Sequence, residues 1–289
     1  MSDPSNDLFK QQAGADWEVV ANGWRKWHAT FENAASNMST KIMDMAEVRE
    51  GASVLDIATG IGDPAIAVAR RVGRRGSVLA MDISEQMLTI AKKRAIKDQV
   101  DGIINFNRGD AATMALPELV FDSALCRLGL MFIIDLDKAM SNIYKSLVSG
   151  GIFAASVWST SDKVPQLALA MEVVRNELKL PPVPQNTTGS PFSLADVNFL
   201  KLSFIKCGFK DLKVQRINVR FDFNSAEEFT NFTKDIAAPV VALLNGQTPD
   251  RKNQIWRAVT EATANGYTNN DIKSVILDNE AICICGKKK

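Results

Sequence analysis

The sequence predicts an α/β fold in which a mostly parallel sheet carries helices on both faces. Two observations predict it. From residue 53 onward, short apolar runs alternate with segments of helical periodicity, and repeated strand–helix units make consecutive strands parallel through right-handed crossovers. The first junction reads Ser-Val-Leu-Asp-Ile-Ala-Thr-Gly-Ile-Gly-Asp-Pro at 53–64. Strand, glycine turn, helix is how open α/β sheets bring backbone to a nucleotide-like ligand.

The elements follow in order. Trp17, Val20, Trp24, Trp27 and Phe31 recur at helical spacing and predict one helix with an aromatic face; Met38, Ile42 and Met45 predict a second. Both can pack on the sheet, and the aromatic face is also a candidate pocket wall. Residues 54–58 read as the first strand and 64–72 as its helix, with Asp63 as N-cap and Pro64 at the first helical position. Gly76 turns into a strand at 77–83, and Ser84 caps an amphipathic helix bearing Met87, Leu88, Ala91 and Ala95. The third strand, 104–108, ends at Gly109-Asp110-Ala111; the fourth, 121–125, runs into Cys126-Arg127-Leu128-Gly129. A helix at 136–147, a turn at Gly150-Gly151 and a strand at 152–158 complete the regular part.

Beyond 158 the alternation loosens. A helix near 167–178 precedes a proline-rich loop at 181–184, then a helix capped by Ser193 and stopped by Gly208, then a long strand at 211–223. A capping box from Ser225 to Glu228 opens another helix. Thr248-Pro249 starts one that ends before Gly266, and a strand at 280–285 closes the chain.

Composition bounds the partners. The 289 residues, 46% hydrophobic, suffice for one large domain with a sizeable core. With 34 basic and 33 acidic residues the net charge is +1, so no global field favours nucleic acid or acidic lipid. The polar start, with Asp3 and Asp7, does not read as a signal peptide. Arg127 and Pro239 interrupt the longest apolar runs, so no membrane span is expected. Four cysteines in a chain this long read as reduced thiols of a cytoplasmic protein.

The glycine turn alone admits two cofactors. Gly60, Gly62 and Ala65 satisfy G-x-G-x-x-G/A, and Asp82 closes a second strand where an NAD ribose ligand would stand. The carboxylates shift the choice. Asp56 lies in the strand end, and Asp63 occupies the helix start that a pyrophosphate would need as its anion site. S-adenosylmethionine has no phosphate, and its amine and sulfonium outweigh its carboxylate, so an acidic glycine turn suits it better.

Four stretches then stand in order: Val-Leu-Asp-Ile-Ala-Thr-Gly-Ile-Gly-Asp at 54–63, Met-Asp-Ile-Ser-Glu-Gln-Met-Leu at 81–88, Gly-Asp-Ala at 109–111, and Gly-Gly at 150–151. With these the chain resembles the class I S-adenosylmethionine-dependent methyltransferases, in the small-molecule branch similar to the UbiE-like ubiquinone and menaquinone C-methyltransferases. The resemblance is strongest over 53–158. It implies a Rossmann-like, seven-stranded sheet with an antiparallel edge strand, where the strands at 211–223 and 280–285 fit. It also implies an N-terminal helical segment, 1–52, and a methyltransferase domain, 53–289, with lid insertions at about 159–192 and 224–278 on the ligand face. The apolar content of the second insertion, including Phe229, Phe232 and Trp256, points to an apolar or aromatic small molecule.

The resemblance also assigns roles. The turn through Gly60 and Gly62 would meet the methionine part of the cofactor, and Asp56 its amino group. Asp82 would accept from both ribose hydroxyls. Ile83 and Met87 would pack near the adenine, and Asp110, with Ala111 adjacent, would accept from its exocyclic amine. Ala58 stands where most of the family has glycine, which is tolerable if that residue keeps a negative φ. Each acid has a second reading as an ordinary strand-end or turn residue.

Methyl transfer is an in-line displacement for which the protein supplies alignment, desolvation and sometimes a base. His28, the only histidine, is either that base or the edge of the aromatic packing. Arg127 either pairs with the cofactor carboxylate or an acidic substrate oxygen, or fills an interior salt bridge. No metal site is expected. Residues after the fourth strand bear no likeness to the Asn/Asp-Pro-Pro-aromatic motif of nucleic-acid base N-methyltransferases. The expected function is O- or C-methylation of an apolar or aromatic small molecule, a quinone precursor or similar metabolite. Two alternatives stay open: an NAD-dependent oxidoreductase and a catalytically silent cofactor-binding protein.

Overall fold

A computed structural model of the chain describes residues 4–184, 187–269 and 274–289. In order, the elements are α1 (Pro4–Lys26), α2 (His28–Met45), β1 (Ser53–Ile57), α3 (Ala65–Val72), β2 (Ser77–Asp82), α4 (Glu85–Lys97), β3 (Ile104–Arg108) and β4 (Phe121–Arg127). They continue with α5 (Leu136–Ser146), β5 (Leu147–Trp158), α6 (Pro165–Glu177), α7 (Val197–Lys206), β6 (Lys210–Phe223) and α8 (Ala226–Ile236). The last are α9 (Ala238–Leu243), α10 (Pro249–Tyr267), β7 (Thr268–Asn269) and β8 (Ser274–Lys287).

The sheet runs β3-β2-β1-β4-β5-β8-β6, with the two-residue β7 beside β8. Pairs among β1 to β5 are parallel, and β8 is antiparallel to both its neighbours. The mostly parallel α/β sheet is therefore as expected, with the antiparallel strand one place in from the rim. Chain order reverses between β1 and β4, which is where open sheets of this kind leave a crevice at their carboxyl ends. Both faces are covered. Ser123 Oγ donates to Ala46 O at the end of α2, while the next register position, Phe153, stacks on Phe204 of α7 at 5.2 Å. Alternate residues of a strand point to opposite faces. Among the described residues, no helix is long and apolar enough to cross a membrane.

Several local expectations give way to tertiary contacts. The aromatic run is divided at Trp27, so Phe31 belongs to α2. Trp27 Nε1 and Lys26 Nζ both bond Asp235 at the end of α8, at 2.8 and 2.7 Å, and anchor the junction there. Asp63 does not cap α3; its carboxylate is turned toward Arg94 and His28. The helix start is instead held by Asp56, whose Oδ2 accepts from Ala65 N at 3.1 Å. Ser193 does not cap α7 either: its hydroxyl donates to Met131 O, and Asp196 caps the helix. Helix α9 is additional, and α10 continues through Gly266 to Tyr267. Ala58 adopts φ 54°, not the negative value its side chain favours. Gly129 lies against it so closely that a Cβ at Gly129 would overlap the Ala58 methyl.

Helix α1 crosses the carboxyl edge of the sheet. Glu18 accepts from Glu85 N and Gln86 N at the start of α4, and Trp24 Nε1 donates to Ile236 O of α8. Gly23 is required between them, because a Cβ there would overlap the Asp235 carbonyl oxygen. Gly23→Leu should cost about 1–3 kcal/mol and open residues 4–26 to limited proteolysis. Wild-type cleavage and stability would show that α1 does not depend on this close approach.

Asp56 carries a pH signature. Burial pushes its pKa from 3.8 to about 7, against the opposing influence of the Thr59 hydroxyl, Arg127 and Ala65 N. Between about pH 4 and 7 the folded chain holds a proton that the unfolded chain has released, so this group lowers stability as pH rises through that window. In urea unfolding across pH 4–8, Asp56→Asn should keep the cap to Ala65 N and flatten the decline. An identical profile for both proteins would refute the assignment.

Candidate active site

The ends of β1, β2, β3 and β4 and the turns that follow them form one wall of a cavity. The opposite side comes from α1, the start of α2, the start of α6 and the α8–α9 junction. Of the residues singled out in the sequence, His28, Ala58, Gly60, Asp82, Ile83, Met87, Asp110, Ala111 and Arg127 line it. Asp56 and Gly62 do not. Asp56 is fully buried behind the turn, and a Cβ at Gly62 would meet Ile66 and Ala91 rather than the cavity.

The glycine wall is shaped by backbone need. Gly60 has φ 55°, and open space lies where a side chain would be, so the main chain itself faces the cavity. Asp82 locks this turn to the next: Oδ2 accepts from Gly60 N at 2.8 Å and Oδ1 from Ser84 N at 2.9 Å. Burial raises its pKa, with the Ser84, Gly60 and Ile83 amides opposing and Glu18 adding to the rise. Each carboxylate oxygen retains acceptor capacity beyond its one backbone bond. Asp110 Oδ1 accepts from Ala112 N at 2.9 Å, which turns the chain after β3. Behind the turn, Asp56 Oδ1 and the neighbouring Thr59 Oγ1 are buried without a partner in full hydrogen-bond geometry, though the hydroxyl lies near enough to oppose the rise in the Asp56 pKa.

A charged group stands where α2 meets this wall. Arg94 forks onto Asp63, Nη1 to Oδ2 at 2.5 Å and Nη2 to Oδ1 at 3.1 Å. Its Nη2 is also 2.6 Å from His28 Nε2, which lies 3.2 Å from Asp63 Oδ2. Burial alone would raise the Asp63 pKa, but His28, Arg94 and the field of Arg127 hold it well below the carboxylate range. Arg127 takes the interior-pair reading: Nη1 lies 2.7 Å from Glu32 Oε1 and donates to Ser39 Oγ at 2.9 Å. Its guanidinium also sits 5.7 Å from the Phe31 ring.

Sequence reasoning missed this network. Arg94 and Asp63 are far apart in the chain, and only Glu32, one turn after His28 on α2, carried a local signal. Ligand atoms of His28, Glu32 and Asp63 all lie within 4.8 Å of one another, the spacing of a metal site. Two guanidiniums already engage both carboxylates, so the group reads as an ion-pair network. Gln166, at the start of α6, was also missed.

The family model described as the ubiE/COQ5 methyltransferase family matches residues 33–179, about half of the chain. The UbiE ubiquinone/menaquinone biosynthesis C-methyltransferase of Edwardsiella ictaluri is 35% identical over 109 residues, 38% of this chain and 43% of that protein. The UbiE of Methylococcus capsulatus is 36% identical over 109 residues, 38% of this chain and 44% of its own. The matches thus span less than half the length of these relatives. Among solved structures, the [4+2]-cyclase SpnF superposes with TM-score 0.62 at 17% identity, covering 96% of this chain and 97% of that one. The YcgJ protein of Bacillus subtilis gives 0.57 at 17% identity, covering 88% and 99%. The structural likenesses show the fold alone. The sequence match decides between the cofactors that the glycine turn left open: the chain belongs to the ubiE/COQ5 methyltransferase family, and S-adenosylmethionine is that family's cofactor.

Proposed function

We propose that the protein transfers the methyl group of S-adenosylmethionine to an oxygen or carbon of an apolar or aromatic small molecule, a quinone precursor or similar metabolite. One observation carries this reading: a single cavity has two unlike halves. The half at the ends of β1, β2 and β3 offers bare backbone at Gly60 and the carboxylate of Asp82. The other is walled by Trp17, Trp24, Phe132, Trp158, Ile236 and Pro239. Such an apolar enclosure with few polar groups is how proteins hold small aromatic molecules.

The residues fit the cofactor. Asp82 has acceptor capacity for vicinal hydroxyls, and Ile83 and Met87 give an apolar strip beside it. The unpartnered Asp56 Oδ1 and Thr59 Oγ1 lie just behind the turn, where a bridging water could link them to an amine. When bound, the cofactor supplies an electrophilic methyl group on a sulfonium. The chain aligns the acceptor, excludes water with α1 and the α8–α9 junction, and removes a proton where the acceptor must lose one. His28 is the proposed base, held by Asp63; its Nε2 must leave Arg94 to take a proton. Arg127 is proposed to favour the cofactor carboxylate by its charge. The division into a helical segment, 1–52, and a catalytic domain, 53–289, with lids at 159–192 and 224–278 follows from this reading. Four free thiols, three of them buried, suit a cytoplasmic location.

Calorimetry with S-adenosylhomocysteine, followed by turnover on a panel of phenols, quinols and thiols, tests the proposal. Cofactor binding without homocysteine formation on any acceptor would reduce the protein to a silent cofactor binder. Asp82→Ala should weaken S-adenosylhomocysteine by about 1.5–3 kcal/mol, the size of hydrogen bonds to a charged group; unaltered affinity would remove Asp82 from the site. His28→Ala should lower kcat about 10²–10⁴-fold on a carbon acceptor and much less on a thiol. Equal losses on both would make His28 structural.

A further inference from the structure

One polar side chain in the apolar half of the cavity has no structural employment. Gln166 is 2% exposed and lines the cavity. Its backbone N–H donates to Asn279 Oδ1 at 2.9 Å, but its carboxamide has no hydrogen-bond partner among the described residues. Its amide atoms are therefore open to the cavity rather than sealed inside the protein. Trp158, Leu167 and Pro191 line the same cavity, and among the described residues no hydrogen bond joins the Trp158 indole N–H to the carboxamide.

Its placement is rigid. Gln166 is in the first turn of α6, which leaves the carboxyl end of β5 with Pro165 beginning the helix. Asn279, 1% exposed on β8, fixes that turn and is itself fixed by donating from Nδ2 to Val219 O and Leu277 O. A loose surface amide would turn to water; this one is held against the cavity by the sheet.

We propose that Gln166 reads the methyl acceptor, through a hydrogen bond to a neutral oxygen on an otherwise apolar molecule: a phenol, enol or quinone carbonyl. This rests on the proposed function and names the substrate chemistry of the same site. A carboxamide both donates and accepts, so it pairs with a hydroxyl or a carbonyl and favours neither charge. The guanidinium that lines the cavity, Arg127, is already engaged by Glu32, and Arg94 behind it by Asp63. An acceptor bearing a formal charge would find no free counter-ion among these groups.

The test uses the full chain saturated with S-adenosylhomocysteine and two probes of like shape, 1-naphthol and naphthalene. Binding is followed by fluorescence of the cavity tryptophans. Wild-type protein should prefer 1-naphthol by about three- to tenfold, the net worth of one neutral hydrogen bond. Gln166→Leu should abolish the preference while keeping naphthalene affinity equal or better, and Gln166→Glu should weaken both. Without ligand, Gln166→Leu should melt at or above the wild-type temperature, because it places an apolar side chain in an otherwise apolar stretch of wall. A preserved preference in Gln166→Leu, or a lowered Tm, would overturn the proposal. Failure of both probes to bind a protein that still binds S-adenosylhomocysteine would overturn it together with the apolar acceptor site. Failure to bind S-adenosylhomocysteine would instead strike at the methyl-transfer reading.

Discussion

The Asp82 carboxylate is the joint on which the site depends. It ends β2, and its two oxygens take one amide from the glycine turn after β1 and one from the start of α4. Two loops that no sheet ladder connects are thereby held in one geometry. Hydrogen bonds to a charged group contribute about 1.5–3 kcal/mol each, more than the 0.5–1.5 kcal/mol of an aromatic contact such as Trp17 on Phe132. The constraint passes outward: α4 receives Glu18 of α1 at its N-terminus, and α1 rests on α8 through Gly23. The floor of the cavity therefore positions the helices that face it.

Charge is arranged to cancel inside that frame. Asp63 is matched by Arg94 in a forked pair and Glu32 by Arg127. Removing one partner of a buried pair leaves an uncompensated charge, which costs more than the pair contributes. The network thus ties α2, α4, the glycine turn and β4 together with its charges paired. It also explains why His28 stands at the edge of the aromatic packing and in contact with charge at once. Its Nε2 meets the Asp63–Arg94 pair, and it lines the cavity with Trp24 and Phe31.

The sheet was legible in the sequence because its signals are local. Residues 104–108 and the Ser84 cap match the structure residue for residue, since alternating burial and a side-chain cap depend on neighbours in the chain. Ala58 was misjudged because its positive φ sets its methyl against Gly129, seventy-one positions away, a contact that no local pattern encodes. Asp63 was read as a cap for the same reason: a carboxylate before proline fits a helix start, and only the folded chain brings Arg94 and His28 to it. Meanwhile Asp56, read as a ligand, holds the helix. Gln166 had no signal at all, because a glutamine in a helix start is ordinary until the sheet behind it leaves the amide without a partner.

The two halves of the cavity also differ in where they come from in the chain. The glycine turn, Asp82, Asp110 and Arg127 all fall within 33–179, the stretch that matches the family. His28, the tryptophans of α1 and the segment from α8 to α10 fall outside it. The proposed cofactor half therefore lies within the family match, while the proposed acceptor half draws on residues both inside and outside it. A fold shared with a cyclase makes the same point from another side, since a fold hosts many reactions and the site decides among them. The proposed acceptor rests on what lines that second half: aromatic walls, paired charges and the amide of Gln166 open to the cavity.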